Sequence, residues 1–469
     1  TDYQEPGIIV VFETSPAKLI RDAALFGWNL DELQAQNQIK IIFSSPQVLA
    51  AELQSPRSLL LETAAEMGAR RMFIDGIGLL APGAEPDTPP ASYRGLLQQF
   101  LEGLDRENLT CMLSHEIGRL SESILTLEAA GFLCDTVIEL THDRVRRHGH
   151  RSVEIVKSRG QNYVAGKHTL RITSDHGLEV FRRAQAPVVQ NLAQPTSTAK
   201  RSLIGVKALD DLIGGGLFDG STTMVVGISG AGKTVLGTQV LLEGVTKDRK
   251  RGLLISLDEH PAQIVRNAET LGLDLQSQID SGMIHIFYES PQELEVDSHF
   301  ARIVKTIEEY DIQRLVIDGV TSYSTALDSQ RAYRDFFHAL VAFSKFHLMT
   351  TFFNYENPEL FGLSSYMPEF PVSSIVDNII VLSLVELGNS VHRCIAVVKA
   401  RGCKHEFETR EFTIGQGGIA LLPLGHAEAL AAMPIETYSS VLSRAPTRES
   451  PRMGVGRRPN PPRSLQQSV

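Results

Sequence analysis

A glycine-rich run in the second half of the chain has the spacing of a phosphate-binding loop. Residues 227–234 read GISGAGKT, which fits the pattern GxxxxGK[ST], between a strand-like run, TTMVV, and a helical run, VLGTQVLLEGV. Glycines let backbone N–H groups surround phosphate oxygens, and the N-terminus of the following helix adds positive potential. A plain glycine turn before a helix is the alternative, but the Lys-Thr pair and the strand–loop–helix context favour phosphate binding.

The loop offers side chains as well as backbone donors. Lys233 can reach the β- and γ-phosphates of ATP, and the Thr234 hydroxyl can ligate Mg²⁺. ATP and Mg²⁺ are therefore the predicted cofactors. The predicted ATP contacts in the loop are Ser229, Gly230, Ala231, Gly232, Lys233, Thr234 and Val235.

Two groups of acids follow predicted strands downstream of the loop. Asp318 ends the apolar run LVID, where a Walker B carboxylate would hold Mg²⁺ through water; a turn or helix-capping aspartate is the alternative. Asp258 and Glu259 follow GLLISL, and hydrolysis needs a carboxylate that orients or deprotonates the attacking oxygen. An acid pair that stabilises a helix dipole is the alternative there. We predict Asp258 and Glu259 as catalytic residues, and Thr234, Asp318 and Asp258 as metal ligands.

The elements that must position these residues occur twice. Pro16 matches Pro261 within the similar runs ETSPAKLIRDAALFG and DEHPAQIVRNAETLG, at an offset of 245 residues. The Asp-Gly pair that ends MFIDG matches the pair that ends LVIDG at an offset of 243, and KSRG matches KARG at an offset of 242. Three landmarks in one register indicate tandem copies of one domain.

Each copy alternates short apolar runs with amphipathic stretches whose apolar positions lie three and four apart. Runs such as MFID and LVID are continuously apolar, which is typical of strands buried on both faces of a parallel sheet. The alternation predicts an α/β fold with mostly parallel central sheets. The predicted organisation is a first domain at residues 1–185, a linker at 186–202, a second domain at 203–440, and a disordered tail, rich in Arg and Pro, at 441–469.

The composition argues against several classes of protein. The 469 residues carry 45 Lys and Arg against 55 Asp and Glu, and this formal charge of −10 argues against a nucleic-acid partner. No apolar run reaches the roughly 18–20 residues of a membrane span, so no membrane partner is expected. No cysteine pair has CxxC spacing, which indicates reduced thiols and a cytoplasmic location.

The run over residues 205–245, the tandem copies and the KxRG motifs resemble RecA-like ATPases of the KaiC type. The resemblance covers about residues 1–440 and implies two tandem RecA-like P-loop NTPase domains. KaiC-like proteins are ATPases and autokinases that form homo-hexameric double rings, with ATP bound at the seams between subunits. The resemblance implies that the KxRG cations reach the γ-phosphate on a neighbouring subunit, with a further arginine assisting. These residues are Lys399, Arg401, Lys157, Arg159 and Arg393. A solvated face of a sheet is the alternative for the Lys and Arg that alternate in each KxRG motif.

A serine pair occupies the place of the Ser-Thr pair that is autophosphorylated in the family. The pair is Ser373 and Ser374, and a capping or loop role is the alternative. The resemblance thus implies a signalling or clock-type regulator with serine autokinase activity, for which a regulatory protein partner is expected.

The chain departs from the family pattern in three places. At the repeat offset, the phosphate loop of the first domain would lie before residue 1, so we expect the first domain to lack its N-terminal P-loop here, through truncation of the sequence. The family's general base falls on Asp258 and Glu13, and aspartate withdraws the carboxylate by roughly 1 Å, which can cost about 100-fold in rate. Leu271 replaces an aromatic residue near the adenine, which indicates weaker base stacking.

The leading hypothesis is a KaiC-like ATPase that binds and hydrolyses Mg-ATP at subunit seams. Two other functions stay open at this stage. The short Asp258 side chain motivates a nucleotide-gated ring scaffold with little turnover. A RadA-like DNA-recombination ATPase is the third hypothesis, and the negative net charge counts against it.

Overall fold

The computed structural model of the chain describes residues 4–54, 58–77, 90–116, 131–143, 149–175, 177–187, 199–327, 329–357, 374–387, 390–406 and 408–423. The predicted tail at 441–469 and Ser373 lie outside these residues, as does most of the predicted linker. Contacts divide the chain into two compact units: Thr1–Gln185 with Glu293–Lys305, and Ala186–Gln292 with Thr306–Val469. Each described helix is too short or too polar to span a lipid bilayer.

The first unit alternates strands and helices up to residue 113, and its last four described strands lie between residues 136 and 181. Its strands are β1 (Gly7–Val11), β2 (Ile39–Phe43), β3 (Arg71–Asp75), β4 (Thr110–Leu113), β5 (Thr136–Asp143), β6 (His150–Ser158), β7 (His168–Thr173) and β8 (Gly177–Phe181). Its helices include α1 (Pro16–Ala24), α2 (Leu30–Ala35), α3 (Pro46–Gln54), α4 (Leu59–Met67) and α5 (Pro90–Arg106). The strands form a parallel sheet, ordered β2-β1-β3-β4, and an antiparallel sheet, ordered β5-β6-β7-β8.

The second unit follows the same alternation with more strands. Its strands are β9 (Arg201–Ser202), β10 (Leu217–Phe218), β11 (Thr222–Gly227), β12 (Gly252–Ser256), β13 (Ile284–Tyr288), β14 (Arg314–Asp318), β15 (Thr350–Glu356), β16 (Asn378–Leu387), β17 (Ser390–Ala400), β18 (Thr409–Gly415) and β19 (Gly418–Leu421). The helices after residue 202 are α6 (Lys207–Leu212), α7 (Lys233–Asp248), α8 (Pro261–Thr270), α9 (Leu275–Asp280), α10 (Val296–Tyr310, which belongs to the first unit up to Lys305), α11 (Tyr323–Ala326) and α12 (Gln330–Phe346).

The helix after the first strand of the repeat begins in the same way in both units. Ser15 caps α1 and Pro16 takes its first position, while His260 caps α8 and Pro261 takes its first position. Proline suits that position because it has no N–H to lose and its backbone angle already matches the helix. The repeated Pro-Ala pair therefore marks the same helix start twice.

One nine-stranded sheet forms the centre of the second unit, in the order β13-β12-β14-β15-β11-β16-β17-β18-β19. The strands from β13 to β16 pair in parallel, and those from β16 to β19 pair antiparallel. Strands β11, β12 and β14 are buried at every residue, as their continuous apolar runs predict. The predicted α/β class with parallel sheets is confirmed.

The two small sheets of the first unit match the two flanks of this large sheet strand for strand. β2-β1-β3-β4 corresponds to β13-β12-β14-β15, and β5-β6-β7-β8 corresponds to β16-β17-β18-β19. In the second unit β11 joins the flanks because it pairs with both β15 and β16. No strand among the described residues of the first unit pairs with both β4 and β5.

The exposure of matching side chains follows this difference. Met112 in β4 is 61% exposed, whereas Phe352, its counterpart in β15, is fully buried. Ile138 in β5 is 48% exposed, whereas Ile380, its counterpart in β16, is fully buried. In the second unit β11 and the helix that follows it, α7, lie against β15, and β11 also pairs with β16. The apolar surface of β4 and β5 is therefore the surface that this strand and helix cover in the second unit.

A buried arginine fixes the start of β14. The Arg314 side chain is fully buried; its guanidinium donates to the carbonyls of Leu203 (2.8 Å) and Val240 (2.6 Å) and pairs with Asp248 (3.0 Å). Burial lowers the pKa of Arg314, and the Asp248 carboxylate opposes that shift. Gly244 leaves room for it, because a Cβ there would overlap the guanidinium. The first residue of β14 is thus bonded to Leu203, which directly follows β9, and the last residue of the same strand is Asp318.

Candidate functional site

The phosphate loop joins the end of β11 to the start of α7. Gly230 and Gly232 have φ angles of +76° and +108°, a region that glycine adopts at no steric cost. A Cβ at Gly232 would also come within 2.8 Å of Ile414. The loop therefore turns sharply onto the N-terminus of a 16-residue helix, where the first N–H groups have no partner within the helix. All seven ATP contacts predicted in this loop lie between the end of β11 and the first turn of α7.

Lys233 begins α7 and turns back onto the loop. Its Nζ donates to the carbonyls of Gly227 at 2.8 Å and Ile228 at 2.9 Å. Burial lowers the pKa of Lys233, and the carboxylates of Glu356 and Asp318 oppose that shift. The ammonium therefore lies among backbone oxygens of the loop and within the field of the nearby acids.

Thr234 and Asp318 are in direct contact. The Thr234 hydroxyl donates to Asp318 Oδ2 at 2.7 Å, and the Asn354 side-chain amide donates to Oδ1 at 2.9 Å. Burial raises the pKa of Asp318, and these two hydrogen bonds oppose the rise. Asn354 lies opposite Asp318 on β15, the strand that pairs in parallel with β14. Two neighbouring strands therefore supply the carboxylate and the amide that contacts it.

These oxygens suit a hard cation such as Mg²⁺, which prefers oxygen ligands and keeps several waters and phosphate oxygens. Thr234, at the start of the helix that follows the phosphate loop, and Asp318, at the end of β14, fit that chemistry because both offer oxygen ligands. Within the described ranges, no group of three or more His, Cys, Asp or Glu could hold a metal ion by itself.

The predicted catalytic acids follow β12, which lies next to β14. Ser322 donates its hydroxyl proton to Asp258 Oδ1 at 2.7 Å. Burial raises the pKa of Glu259, and the carboxylates of Asp318 and Asp258 raise it further. The negative charges of Asp258 and Glu259 also oppose the lowering of the Lys233 pKa by burial. The fold therefore brings Asp258 and Glu259 to the same edge of the sheet as the phosphate loop.

The KARG cations contact the segment before β16. Lys399 Nζ donates to the Val376 carbonyl at 2.7 Å, and Arg401 donates to the Ser374 carbonyl at 2.8 Å. Arg401 also lies 3.6 Å from Asp377, which accepts hydrogen bonds from the backbone and hydroxyl of Thr222 at the start of β11. These contacts lie within one chain, and they attach KARG to the segment that carries Ser374.

The KSRG cations of the first unit make the corresponding contacts. Lys157 Nζ donates to the carbonyls of Gly131 (2.7 Å) and Cys134 (2.6 Å), and Arg159 donates to the Phe132 carbonyl (2.9 Å). Arg159 lies 3.6 Å from Asp135, the counterpart of Asp377. The recurrence of the motif in the sequence is therefore a recurrence of one structural arrangement.

None of the contacts described above for the phosphate loop involves the other predicted residues. Glu13 is exposed just after β1, and Arg393 is exposed on β17. Ser374 is exposed, and Leu271 caps the C-terminus of α8, where its carbonyl accepts a hydrogen bond from the Gly417 N–H at 2.7 Å.

Sequence reasoning missed several polar residues that contact the acids. They are Asn354 beside Asp318, Ser322 beside Asp258, Lys345 beside Asp377, and Ser114 in the first unit, whose hydroxyl donates to Asp75 at 2.7 Å. Ser114 and Asn354 occupy matching places in TCMLS and TTFFN, each ending an apolar run. A polar residue at that place in both copies was a signal that could have found them.

Comparison with known proteins places most of the chain in one family. The family described as "ATPase: KaiC" matches residues 1–185 and 203–426. The chain is 29% identical over 452 residues to the circadian clock oscillator protein KaiC of Parathermosynechococcus lividus, which covers 95% of this chain and 80% of that protein. It is 28% identical over 454 residues to the protein of the same name from Picosynechococcus sp., with 95% and 83% covered. The chain belongs to the KaiC family of ATPases.

Proposed function

We propose that the second unit binds Mg-ATP at its phosphate loop and hydrolyses it. The observation that carries this proposal is the 2.7 Å contact between Thr234 and Asp318 at the start of the helix that follows the glycine loop. A hydroxyl at the helix start and a carboxylate at a strand end are the groups with which P-loop NTPases hold Mg²⁺.

Each residue near the loop has a chemical role in this proposal. The loop N–H groups and Lys233 bind the phosphates, and Asp258 is the general base that orients the attacking water and accepts its proton. Glu259, with its raised pKa, is the second carboxylate beside that water. Thr234 and Asp318 would hold Mg²⁺, which when bound neutralises charge on the phosphate oxygens.

We propose that the active form is a homo-hexamer in which each site is shared by two subunits. Arg401, whose side chain is 52% exposed, and Lys399 are the proposed cations toward the γ-phosphate on a neighbouring subunit. Lys157, Arg159 and Arg393 have the corresponding supporting role. A planar guanidinium and a compact ammonium can both stabilise charge that develops on a transferring phosphoryl group. We also propose a cytoplasmic location, which the four free thiols favour.

A second candidate function is autophosphorylation of Ser373 and Ser374. The observation that favours it is the hydrogen bond from Arg401 to the Ser374 carbonyl, which links an exposed serine to the proposed seam cation. A clock-type signalling role, read by a regulatory protein, depends on this modification. Mapping of phosphate on the chain therefore tests both proposals.

A phosphate-release assay tests hydrolysis. The parent protein is expected to release phosphate from Mg-ATP, and Lys233→Ala is expected to lower that rate by about 100-fold or more because the phosphates lose their main cation. Lys247→Ala, an exposed lysine on the same helix, is the matched control and should change the rate by less than about twofold. Tight ATP binding without turnover by the parent would contradict hydrolysis and support the ring scaffold.

A further inference from the structure

The Asp258 carboxylate contacts the short segment that follows β14, at Gly319 and Ser322. β14 ends at Asp318, and a single 3₁₀ turn, Val320–Ser322, follows it, in which the Ser322 N–H donates to the Gly319 carbonyl at 2.9 Å. The Ser322 hydroxyl donates to Asp258 Oδ1 at 2.7 Å. One oxygen of the proposed general base is therefore fixed by a side chain from the neighbouring strand end.

The other oxygen of Asp258 lies against Gly319. A Cβ at position 319 would overlap Oδ2 first and the rest of the carboxylate next. Gly319 also has a φ of +87°, where side chains are strained. Glycine thus lets the short aspartate come close to the turn, which is where Ser322 can reach it.

Neighbouring hydroxyls hold the turn without using the Ser322 hydroxyl. Thr325 donates its hydroxyl to the Ser322 carbonyl at 2.8 Å, and Ser324 donates to the Thr321 carbonyl at 2.7 Å. The backbone at Ser322 is therefore braced by other groups. Loss of the Ser322 hydroxyl removes its bond to Asp258 and leaves these braces in place.

The hydroxyl belongs to the second copy of the repeat alone. At the repeat offset of 243 residues, Gly319 corresponds to Gly76, which also has a positive φ, of +95°. Ser322 corresponds to Leu79, and Asp258 corresponds to the longer Glu13. The short acid and the serine that contacts it thus occur together in one copy.

We propose that Ser322 is a positioning residue for Asp258 in ATP hydrolysis, and that it fixes the orientation of the aspartate carboxylate, with Gly319 leaving the space. This inference rests on the proposed hydrolytic function. A carboxylate that rotates freely would spend much of its time away from the attacking water, and orientation is a large part of the efficiency of a positioned base. The hydroxyl is expected to affect the rate of the chemical step and to leave nucleotide affinity unchanged.

The test measures kcat and KM for Mg-ATP in three variants of the full chain. Ser322→Ala is expected to lower kcat about tenfold with KM within about twofold, because the group acts in the reaction and not in binding. Ser322→Thr keeps the hydroxyl and should retain most of the parent kcat. Ser324→Ala removes one of the two braces and keeps the bond from Ser322 to Asp258. Because Thr325 still holds the Ser322 carbonyl, both constants should stay near those of the parent.

A fourth variant shows whether Ser322 acts through Asp258. In an Asp258→Asn background, adding Ser322→Ala should change the residual single-turnover rate by less than about twofold, since residues that act as a unit are not additive. An unchanged kcat in Ser322→Ala, or an equal loss in Ser324→Ala, would overturn the inference while the turnover of the parent upholds hydrolysis. A parent without turnover would overturn the proposed function and this inference with it.

Discussion

Asp318 uses both carboxylate oxygens on neighbours from different elements. Thr234 bonds to one oxygen from the start of a helix, and Asn354 bonds to the other from the adjacent strand. Because the carboxylate is buried, each of these hydrogen bonds replaces water that the charged form would otherwise need. The orientation of the acid is therefore fixed by the protein, which suits the role of magnesium ligand that we propose for it.

Ser374 is the residue at which the autokinase proposal can be tested most directly. After incubation with Mg-ATP, mass spectrometry of the parent is expected to find phosphate on the Ser373–Ser374 pair, and Ser374→Ala should lose the part carried by the exposed serine. The Lys233→Ala variant should carry no label because it lacks the main phosphate cation. An unlabelled pair in a hexameric parent that turns over ATP would contradict autophosphorylation and leave hydrolysis standing.

At the scale of elements, one aspartate ties three parts of the second unit together. Asp377 precedes β16, accepts hydrogen bonds from Thr222 at the start of β11, and pairs with Lys345 at the end of α12 at 2.8 Å. Burial alone would raise the pKa of Asp377, but the hydrogen bonds from Lys345 and Thr222 outweigh it, and the pKa is lowered. The KARG loop contacts this same aspartate through Arg401.

This cluster predicts a specific dependence of stability on pH. A carboxyl with a lowered pKa in the folded state stabilises it fully above its ordinary value of 3.8, and that contribution is lost as the pH falls through the folded value. Lys345→Met is therefore expected to lower the free energy of unfolding by about 1–3 kcal/mol at pH 7, with a difference that shrinks as the pH falls below 3.8.

Urea unfolding of the parent and the variant from pH 3 to pH 7 measures this difference. Lys247→Met removes an exposed lysine from α7 and is the control, with an expected change below about 0.5 kcal/mol. A loss in Lys345→Met that stayed the same at every pH would show that the lysine stabilises the fold by packing and not through Asp377.

At the scale of the whole molecule, membership of the KaiC family implies tandem RecA-like domains, and both units carry the KxRG arrangement. In each unit, the two cations hold backbone carbonyls just before the first strand of the antiparallel flank. The Lys and Arg of the KxRG motif make the same backbone contacts in both copies, so they are not simply solvated side chains on the face of a strand.

Mixed oligomers test the proposal that these cations act on a neighbour. Lys233→Ala and Arg401→Ala should each be nearly inactive alone. When equal amounts are mixed and reassembled, about a quarter of the seams should pair an intact phosphate loop with an intact arginine, and activity should return to about that fraction of the parent. A mixture that stays as inactive as its components would contradict a site shared between subunits.

Sequence patterns predicted the parts of the site that are local in the chain. The loop GISGAGKT, the acid after LVID and the repeat were readable because each is a short run with its own spacing, and the α/β class followed from alternation. Ser322, Asn354 and Lys345 were not readable in this way. They reach the acids through the order of strands in the sheet, which places residues far apart in sequence side by side.

The separation of the first unit into two sheets was not predicted either. The repeat offset placed the first loop before residue 1, but it did not indicate that, among the described residues, β4 and β5 would lie in different sheets. In the second unit β11 pairs with both β15 and β16 and so joins the two parts of the sheet. The hydrophobic pattern of a strand does not specify which other strands it pairs with.

The buried guanidinium of Arg314 has a practical consequence for cutting the chain into fragments. One of its acceptors is the carbonyl of Leu203, directly after β9 and upstream of the whole nine-stranded sheet. A fragment that starts at Gly205 would lack the Leu203 carbonyl, so the buried Arg314 guanidinium would lose one hydrogen-bond acceptor. This loss should lower the free energy of unfolding by about 1–3 kcal/mol. A fragment of the second unit for crystallisation or calorimetry should therefore begin upstream of Arg201, so that it keeps the buried Ser202 and the Leu203 carbonyl that Arg314 needs.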